Sequence, residues 1–183
     1  MKKILLILAS TRQHSYNRQV KTYIEKALKD KAETANLEYF DLPLMNQDTE
    51  NPVPEAVERV RKAVLEADGL WFFSPEYNRS YPGVLKNMLD WLSRPMNPNS
   101  LGSGTAIQGK RCAITGIGGR LAAKGMRDKL SELLKFIGAE PMKESCGLTV
   151  QPEEWSTQTL SHNPERQQKL DEYLASFLQF LEE

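Results

Sequence analysis

Short apolar runs alternate along the chain with segments whose apolar residues recur every three or four positions. Residues 4–8 (ILLIL) are apolar at every position, as an interior parallel strand covered on both faces should be. Val20, Tyr23, Ile24, Ala27 and Leu28 then repeat at helical spacing and predict a helix from near Asn17. Residues 37–42 read as a second strand, Pro43-Leu44-Met45 turns the chain outward, and residues 46–51 read as a polar loop. Pro54, Glu55 and the stripe Val57, Val60, Val64 predict a second helix, which returns to a buried third strand over residues 69–73 (GLWFF). Pro82-Gly83 opens a third helix with Val84, Leu85, Met88, Leu89 and Leu92 on one face. Residues 111–115 supply a fourth strand. Met126, Leu130, Leu133, Leu134 and Ile137 mark a fourth helix stopped by Gly138, and residues 142–150 a fifth strand. Residues 151–163 read as polar and irregular, and Leu170, Tyr173, Leu174, Phe177, Leu178 and Leu181 form a closing amphipathic helix.

Strand and helix thus alternate five times, which predicts an α/β fold with a parallel sheet and helices on both faces. There is no internal repeat. Residues 94–108, rich in Pro, Asn, Gly and Ser, read as an excursion or mobile lid, because the rhythm resumes unchanged after them. Trp91 and Pro95-Met96 read as packing residues. The 183 residues are expected to form one domain, long enough to bury roughly 70% of the unfolded surface without a metal or disulfide staple.

The loops after three strands carry the candidate chemistry. The first, Ala9-Ser10-Thr11-Arg12-Gln13-His14-Ser15-Tyr16-Asn17, joins a strand to a helix start. Free amides and the positive dipole end of a helix favour an anion there. Ser10 and Ser15 add hydroxyl donors, Asn17 an amide and Arg12 a two-pronged cation. The loop lacks the lysine and glycines of a P-loop, and no GxGxxG closes the first strand, so a monophosphate fits better than ATP or a dinucleotide. The second loop is Ser74-Pro75-Glu76-Tyr77-Asn78. Proline fixes one backbone angle, so the following amides and carbonyls form a defined array beside a flat tyrosine ring, suited to a planar heterocycle. The third, Gly116-Ile117-Gly118-Gly119-Arg120, allows close approach of backbone to a ligand. All three turns would lie at the carboxyl edge of the sheet, where open α/β proteins bind ligands.

Charge narrows the partners. With 24 basic against 24 acidic residues, the chain lacks the broad positive field of a nucleic-acid binder. Cys112 and Cys146 fall inside strands and outside any Cys/His cluster, which reads as buried thiols and no metal site. The opening Met1-Lys2-Lys3 and its apolar run are too short for a signal peptide or a membrane span, so a soluble cytoplasmic protein is expected. His14 and His162 read as solvated loop residues.

The string PEYN followed by SYPGVLKNMLDWLSR resembles the flavin-ring loop and following helix of the NAD(P)H-dependent FMN reductases, a flavodoxin-like group that includes chromate, quinone and azo-dye reductases. The first loop resembles that family's phosphate loop, Gly-Ser-x-Arg-x-x-Ser-x-Asn. It matches at Ser10, Arg12, Ser15 and Asn17 and departs at Ala9, where the family often has glycine. The glycine turn after the fourth strand resembles the family's remaining flavin-contacting loop. Leu42-Pro43-Leu44 and the polar loop after it resemble a region that borders the flavin pocket and the partner subunit.

This resemblance covers nearly the whole chain, and it implies a single flavodoxin-like, FMN-binding domain over residues 1–183. The five-stranded parallel sheet would have the order 2-1-3-4-5. FMN would be held by Ser10, Arg12, Ser15, Tyr16 and Asn17 on one side, and by Pro75, Glu76, Tyr77, Asn78, Thr115, Gly116, Gly118 and Gly119 on the other. NADPH or NADH would be the co-substrate, and the chain would pair as a homodimer or homotetramer. The implied activity is transfer of reducing equivalents from NAD(P)H through FMN to quinones, azo compounds, chromate or flavin by a ping-pong mechanism. The flavin carries the chemistry, so no catalytic side chain is required. Two other classes stay open: a flavodoxin-like carrier or sensor that binds FMN without multiple turnover, and an FMN-free α/β binding module. A phospho-receiver would need an acidic pair where Ala9-Ser10 stands.

Overall fold

The computed structural model describes residues 1–97 and 102–183. Its parallel sheet is built from β1 (Lys3–Leu8), β2 (Glu33–Asn36), β3 (Gly69–Ser74), β4 (Arg111–Gly118), β5 (Glu140–Pro141) and β6 (Cys146–Thr149). The order is β2-β1-β3-β4-β5, with β6 also pairing with β4. This is the flavodoxin-like order, and its switch point lies between β1 and β3.

Helices cover both faces, which is why the central strands are apolar throughout. On one side α2 (Glu55–Glu66), α3 (Gly83–Leu92) and α4 (Lys124–Phe136) pack on Leu5, Ile7, Leu70, Phe72 and Ile114. On the other, α1 (Tyr16–Ala27) and α6 (Pro164–Phe180) pack on Ile4, Leu6, Trp71, Phe73 and Ala113. Alternate residues of each strand serve opposite cores. Gly138, at φ 90°, ends α4 as expected.

Four segments depart from the expected pattern. The second strand is not residues 37–42 but the polar β2 just before them. As an edge strand it pairs only with β1, so it needs no apolar run. Leu37, Tyr39 and Leu42 are buried core residues of an irregular stretch that leaves the ladder after Leu37 N–H donates to the Leu6 carbonyl. The fifth strand, expected over 142–150, is broken into β5 and β6. At the gap the Ile114 N–H donates to the Tyr173 hydroxyl (3.0 Å), so a side chain from α6 replaces the missing rung.

The glycine turn begins later than expected, because β4 runs on through Gly118 and pairs with β6. Residues 151–163 are not wholly irregular: α5 (Pro152–Thr157) lies within them. Val84 is 36% exposed, so it is not part of the buried α3 face, whereas Trp91 is buried and donates its indole N–H to the Pro43 carbonyl (2.8 Å). The 94–108 excursion closes on itself through Pro95 and Thr105 and buries Ala106 and Ile107. The centre of the expected lid, residues 98–101, lies outside the described residues.

Candidate functional site

A cavity of about 510 Å³ opens at the carboxyl edge of the sheet, beside the switch point. Ser10, Arg12, Ser15, Tyr16 and Asn17 line one end, and Pro75, Glu76 and Tyr77 another. Ile117, Gly118, Gly119, Arg120, Leu121, Ala123 and Trp155 complete it. Three loops separated by about a hundred residues of sequence therefore share one hollow, because β1, β3 and β4 are neighbours and end together.

The first loop is fixed by its backbone; Arg12 and Tyr16 bond to the segment after β6, whereas the Ser15 hydroxyl and Asn17 Oδ1 are left open. Ala9 N–H donates to the Phe73 carbonyl (2.9 Å), continuing the ladder one residue past β1. Ser15 takes the N-cap position of α1, yet its hydroxyl makes no capping hydrogen bond. Asn17 is only 3% exposed and its Oδ1 is buried without a partner. A buried amide atom without a partner costs about 1–3 kcal/mol. Phosphate oxygens accept hydrogen bonds, so what suits an anionic group here is the donor set. It comprises the free amides of the helix N-terminus, the Ser10 and Ser15 hydroxyls, the Arg12 guanidinium and the Asn17 NH2, which trades places with Oδ1 when the amide is turned over.

The second loop is a tight two-residue turn. Tyr77 and Ser80 exchange backbone hydrogen bonds (2.9 and 3.0 Å), with Asn78 at φ 52° and Arg79 at φ 61° between them. Left-handed backbone at both central residues suits a hairpin turn that follows the strand twist, and asparagine tolerates it well. Tyr77 stands 48% exposed at the cavity edge. Glu76 points the other way. Its Oε2 accepts from Met126 N–H (2.8 Å), so it caps α4, whose own N-cap residue, Ala123, has no capping side chain. Gly125 makes room for this contact, since a Cβ there would stand 3.1 Å from Glu76 Oε2 and 3.2 Å from the Arg79 carbonyl.

The third loop carries backbone strain. Ala122 (φ 49°) and Ala123 (φ 55°) are both left-handed, at a cost of about 1–2 kcal/mol per residue. Arg127 holds this turn, donating from Nε to the Ala122 carbonyl (3.0 Å) and from Nη1 to Ser145 Oγ (2.7 Å). Gly119, where an added Cβ would meet nothing within 4 Å, keeps the cavity open.

Three sequence candidates do not line the cavity. Thr115 is fully buried and its Oγ1 accepts from the Trp71 indole (2.9 Å). Gly116 lies under α4, where a Cβ would come within 2.6 Å of Met126 Cε. Asn78 is an exposed member of the turn beside Tyr77. Conversely, Leu121, Ala123 and Trp155 were not singled out by sequence, which shows no periodicity or motif at those positions. Burial pushes the Cys112 thiol up and the Cys146 thiol up to about 11, so neither supplies a thiolate near neutral pH. Among the described residues no His/Cys/Asp/Glu cluster could hold a metal ion, and no helix is long and apolar enough to cross a membrane.

With this geometry in place, a family model described as NADPH-dependent FMN reductase matches residues 2–151. The chain belongs to the NADPH-dependent FMN reductase family. It is 37% identical over 114 residues to a 2-hydroxy-1,4-benzoquinone reductase from a Burkholderia species, covering 62% of this chain and 59% of that protein. The chain thus spans less than two thirds of that relative's length. It is 34% identical over 146 residues to an NAD(P)H-dependent FMN reductase of Pseudomonas aeruginosa, covering 78% of this chain and 74% of the relative. The structure superposes on the flavoenzyme NAD(P)H:acceptor oxidoreductase FerB of Paracoccus denitrificans with a TM-score of 0.87 at 26% identity, over 100% of this chain and 98% of that one.

Proposed function

We propose that this FMN reductase family member is an NAD(P)H-dependent flavin oxidoreductase that binds FMN in the 510 Å³ cavity and reduces small acceptors of the quinone class. The observation that carries the reading is the donor set at the N-terminus of α1, where Ser10, Arg12, Ser15 and Asn17 line one end of the cavity. Those groups suit the cofactor's phosphate. Pro75, Tyr77, Gly118 and Gly119 suit its ring, since they offer backbone groups and one flat side chain around an open space. Held there, FMN would supply the redox chemistry that links NAD(P)H oxidation to reduction of the acceptor in ping-pong order.

The chain's own contribution is to bind and orient. The loop amides and Arg12 fix one end of the ligand, and the strained Ala122–Ala123 turn, held by Arg127, sets the wall of the other. Tyr77, Leu121 and Trp155, each about half exposed at the cavity, leave an apolar rim for a flat acceptor. A relative named for a benzoquinone substrate supports the quinone class. Azo compounds, chromate and free flavin need only the same open face and fall within the reading. The exposed rim also supports a second copy of the chain completing each pocket, as a homodimer or homotetramer.

Purified protein should show the yellow absorption of bound flavin or take up added FMN. It should bleach with NADPH or NADH and recover its colour on addition of a benzoquinone over many turnovers. Protein that takes up no FMN sinks the proposal. A single bleaching without turnover would make it a carrier.

A further inference from the structure

Residues 152–163 lie beyond the residues 2–151 that match the family, yet Trp155 among them lines the cavity. Gln158 ends α5 in the left-handed region, at φ 55°, with its backbone N–H bonded to the Glu154 carbonyl. That conformation directs its side chain to the first loop, where Gln158 Oε1 accepts from Arg12 Nη2 (3.0 Å). The same guanidinium nitrogen donates to the His14 carbonyl (3.3 Å). Both contacts fall on Nη2, so the remaining N–H groups of Arg12 stay available at the cavity.

Three further bonds fasten this segment to α1. The Tyr16 hydroxyl donates to the Glu154 carbonyl (2.7 Å), Gln19 Nε2 donates to the Gln158 carbonyl (2.9 Å), and Gln19 Oε1 accepts from Leu160 N–H (2.9 Å). Trp155 meets the Tyr16 ring edge-on at 5.6 Å and closes the cavity wall on this side. The whole is anchored from beneath by the Glu154 carboxylate, which takes two bonds from Arg166 (2.8 and 3.0 Å).

We propose that residues 152–158 form a clamp on the anion end of the cavity, in which Gln158 holds Arg12 in its binding orientation. The clamp thereby makes the chain select the 5′-phosphorylated flavin over the unphosphorylated one. This rests on the flavin reading above. Gln158 is a positioning residue: it touches Arg12, and Arg12 meets the ligand. An arginine left to roam its rotamers must be ordered again on binding, whereas one held by an amide is already in place.

The test is Gln158→Asn, because asparagine accepts left-handed backbone and its amide is one methylene shorter, so the bond to Arg12 is lost without new strain. Dissociation constants for FMN and riboflavin are read from quenching of flavin fluorescence. The expected result is an FMN constant raised about tenfold, the size of one charge-assisted hydrogen bond, with riboflavin changed less than about twofold. In an Arg12→Ala background, Gln158→Asn should then change neither constant, since the two residues act as a pair. Gln19→Leu, which removes two fastenings of the clamp without altering the cavity lining, should speed FMN release severalfold. Equal weakening for both flavins, or an unchanged FMN constant, overturns the clamp while leaving the flavin site standing. Parent protein that binds neither flavin overturns the flavin site itself.

Discussion

Two loops face the same cavity and treat their polar groups in opposite ways. In residues 9–17 the Ser15 hydroxyl caps nothing and Asn17 Oδ1 is buried without a partner. In residues 151–163 the Glu154 carboxylate, 1% exposed, accepts from Arg166, from the Ser161 amide and hydroxyl, and from the Gln151 amide. Buried polar groups in folded proteins are nearly always paired. At a cavity wall, a loop whose hydroxyl and amide are left open can be completed by a ligand, whereas a loop whose buried carboxylate is fully paired is built to stay where it is. The first reads as a site and the second as the scaffold that holds it.

The comparison breaks most visibly if the scaffold is opened. Arg166→Met removes the partner of a buried carboxylate and should cost about 3–5 kcal/mol in urea unfolding. Acid should do the same by another route. Burial raises the Glu154 carboxyl, but hydrogen bonds from Arg166, from the Ser161 hydroxyl and from the Gln151 and Ser161 amides outweigh this and bring it down from the ordinary 4.5 to about 2. A folded value below the ordinary one means stability that is present above pH 4.5 and lost as the pH falls towards 2. Stability of the parent should decline across that window, and the profile of Glu154→Gln should be flatter there. A parent profile with the same slope as the variant's would show that the carboxylate anchors nothing.

The site loop should respond the other way. Arg12→Ala should weaken FMN binding by about 2 kcal/mol, some thirtyfold, through loss of a charge-assisted contact. Unfolding of the ligand-free protein should move by no more than about 0.5 kcal/mol, as for a surface change. A variant that unfolded early and bound FMN normally would exchange the roles of the two loops.

How far each loop was legible follows from the same physics. Interior strands β1, β3 and β4 are covered on both faces and show as apolar runs, so the alternation of strand and helix and the loops at the sheet edge were readable from the residues, whereas the strand order came from the family resemblance. Ser10, Arg12, Ser15 and Asn17 stood out because a polar cluster between an apolar strand and a helix start can hold an anion as well as cap a helix, and its spacing matches the family's phosphate loop. Edge strands were misplaced: Glu33–Asn36 pairs on one side only and carries no apolar signal, while Leu37 and Tyr39 alternate like a strand but are core plugs outside the ladder. The scaffold was missed because α5 has six residues, too few for a helical period. Its signal was local instead: Gln151 and Glu154 form a capping box, with Pro152 in the first turn. Nothing at Trp155 announced a cavity wall, since its place depends on Tyr16, far off in sequence.

The Glu76 loop stands between the two behaviours, with Tyr77 open to the cavity and Glu76 spent on the α4 N-terminus. Sharpening the comparison there needs two substitutions with small effects. Glu76→Ala removes the acceptor for Met126 N–H and should cost about 1 kcal/mol, as loss of a helix cap does. Glu76→Gln keeps an acceptor oxygen and loses only the charge facing the helix dipole, so it should cost about 0.5 kcal/mol and lessen in high salt. Thermal unfolding of both variants with and without FMN separates the roles. If the cost of each is the same in the two states, the carboxylate belongs to the scaffold. A cost that grows when FMN is present would mean that the cap sets the wall of the cavity, because a looser α4 start frees the strained Ala122–Ala123 turn beside it.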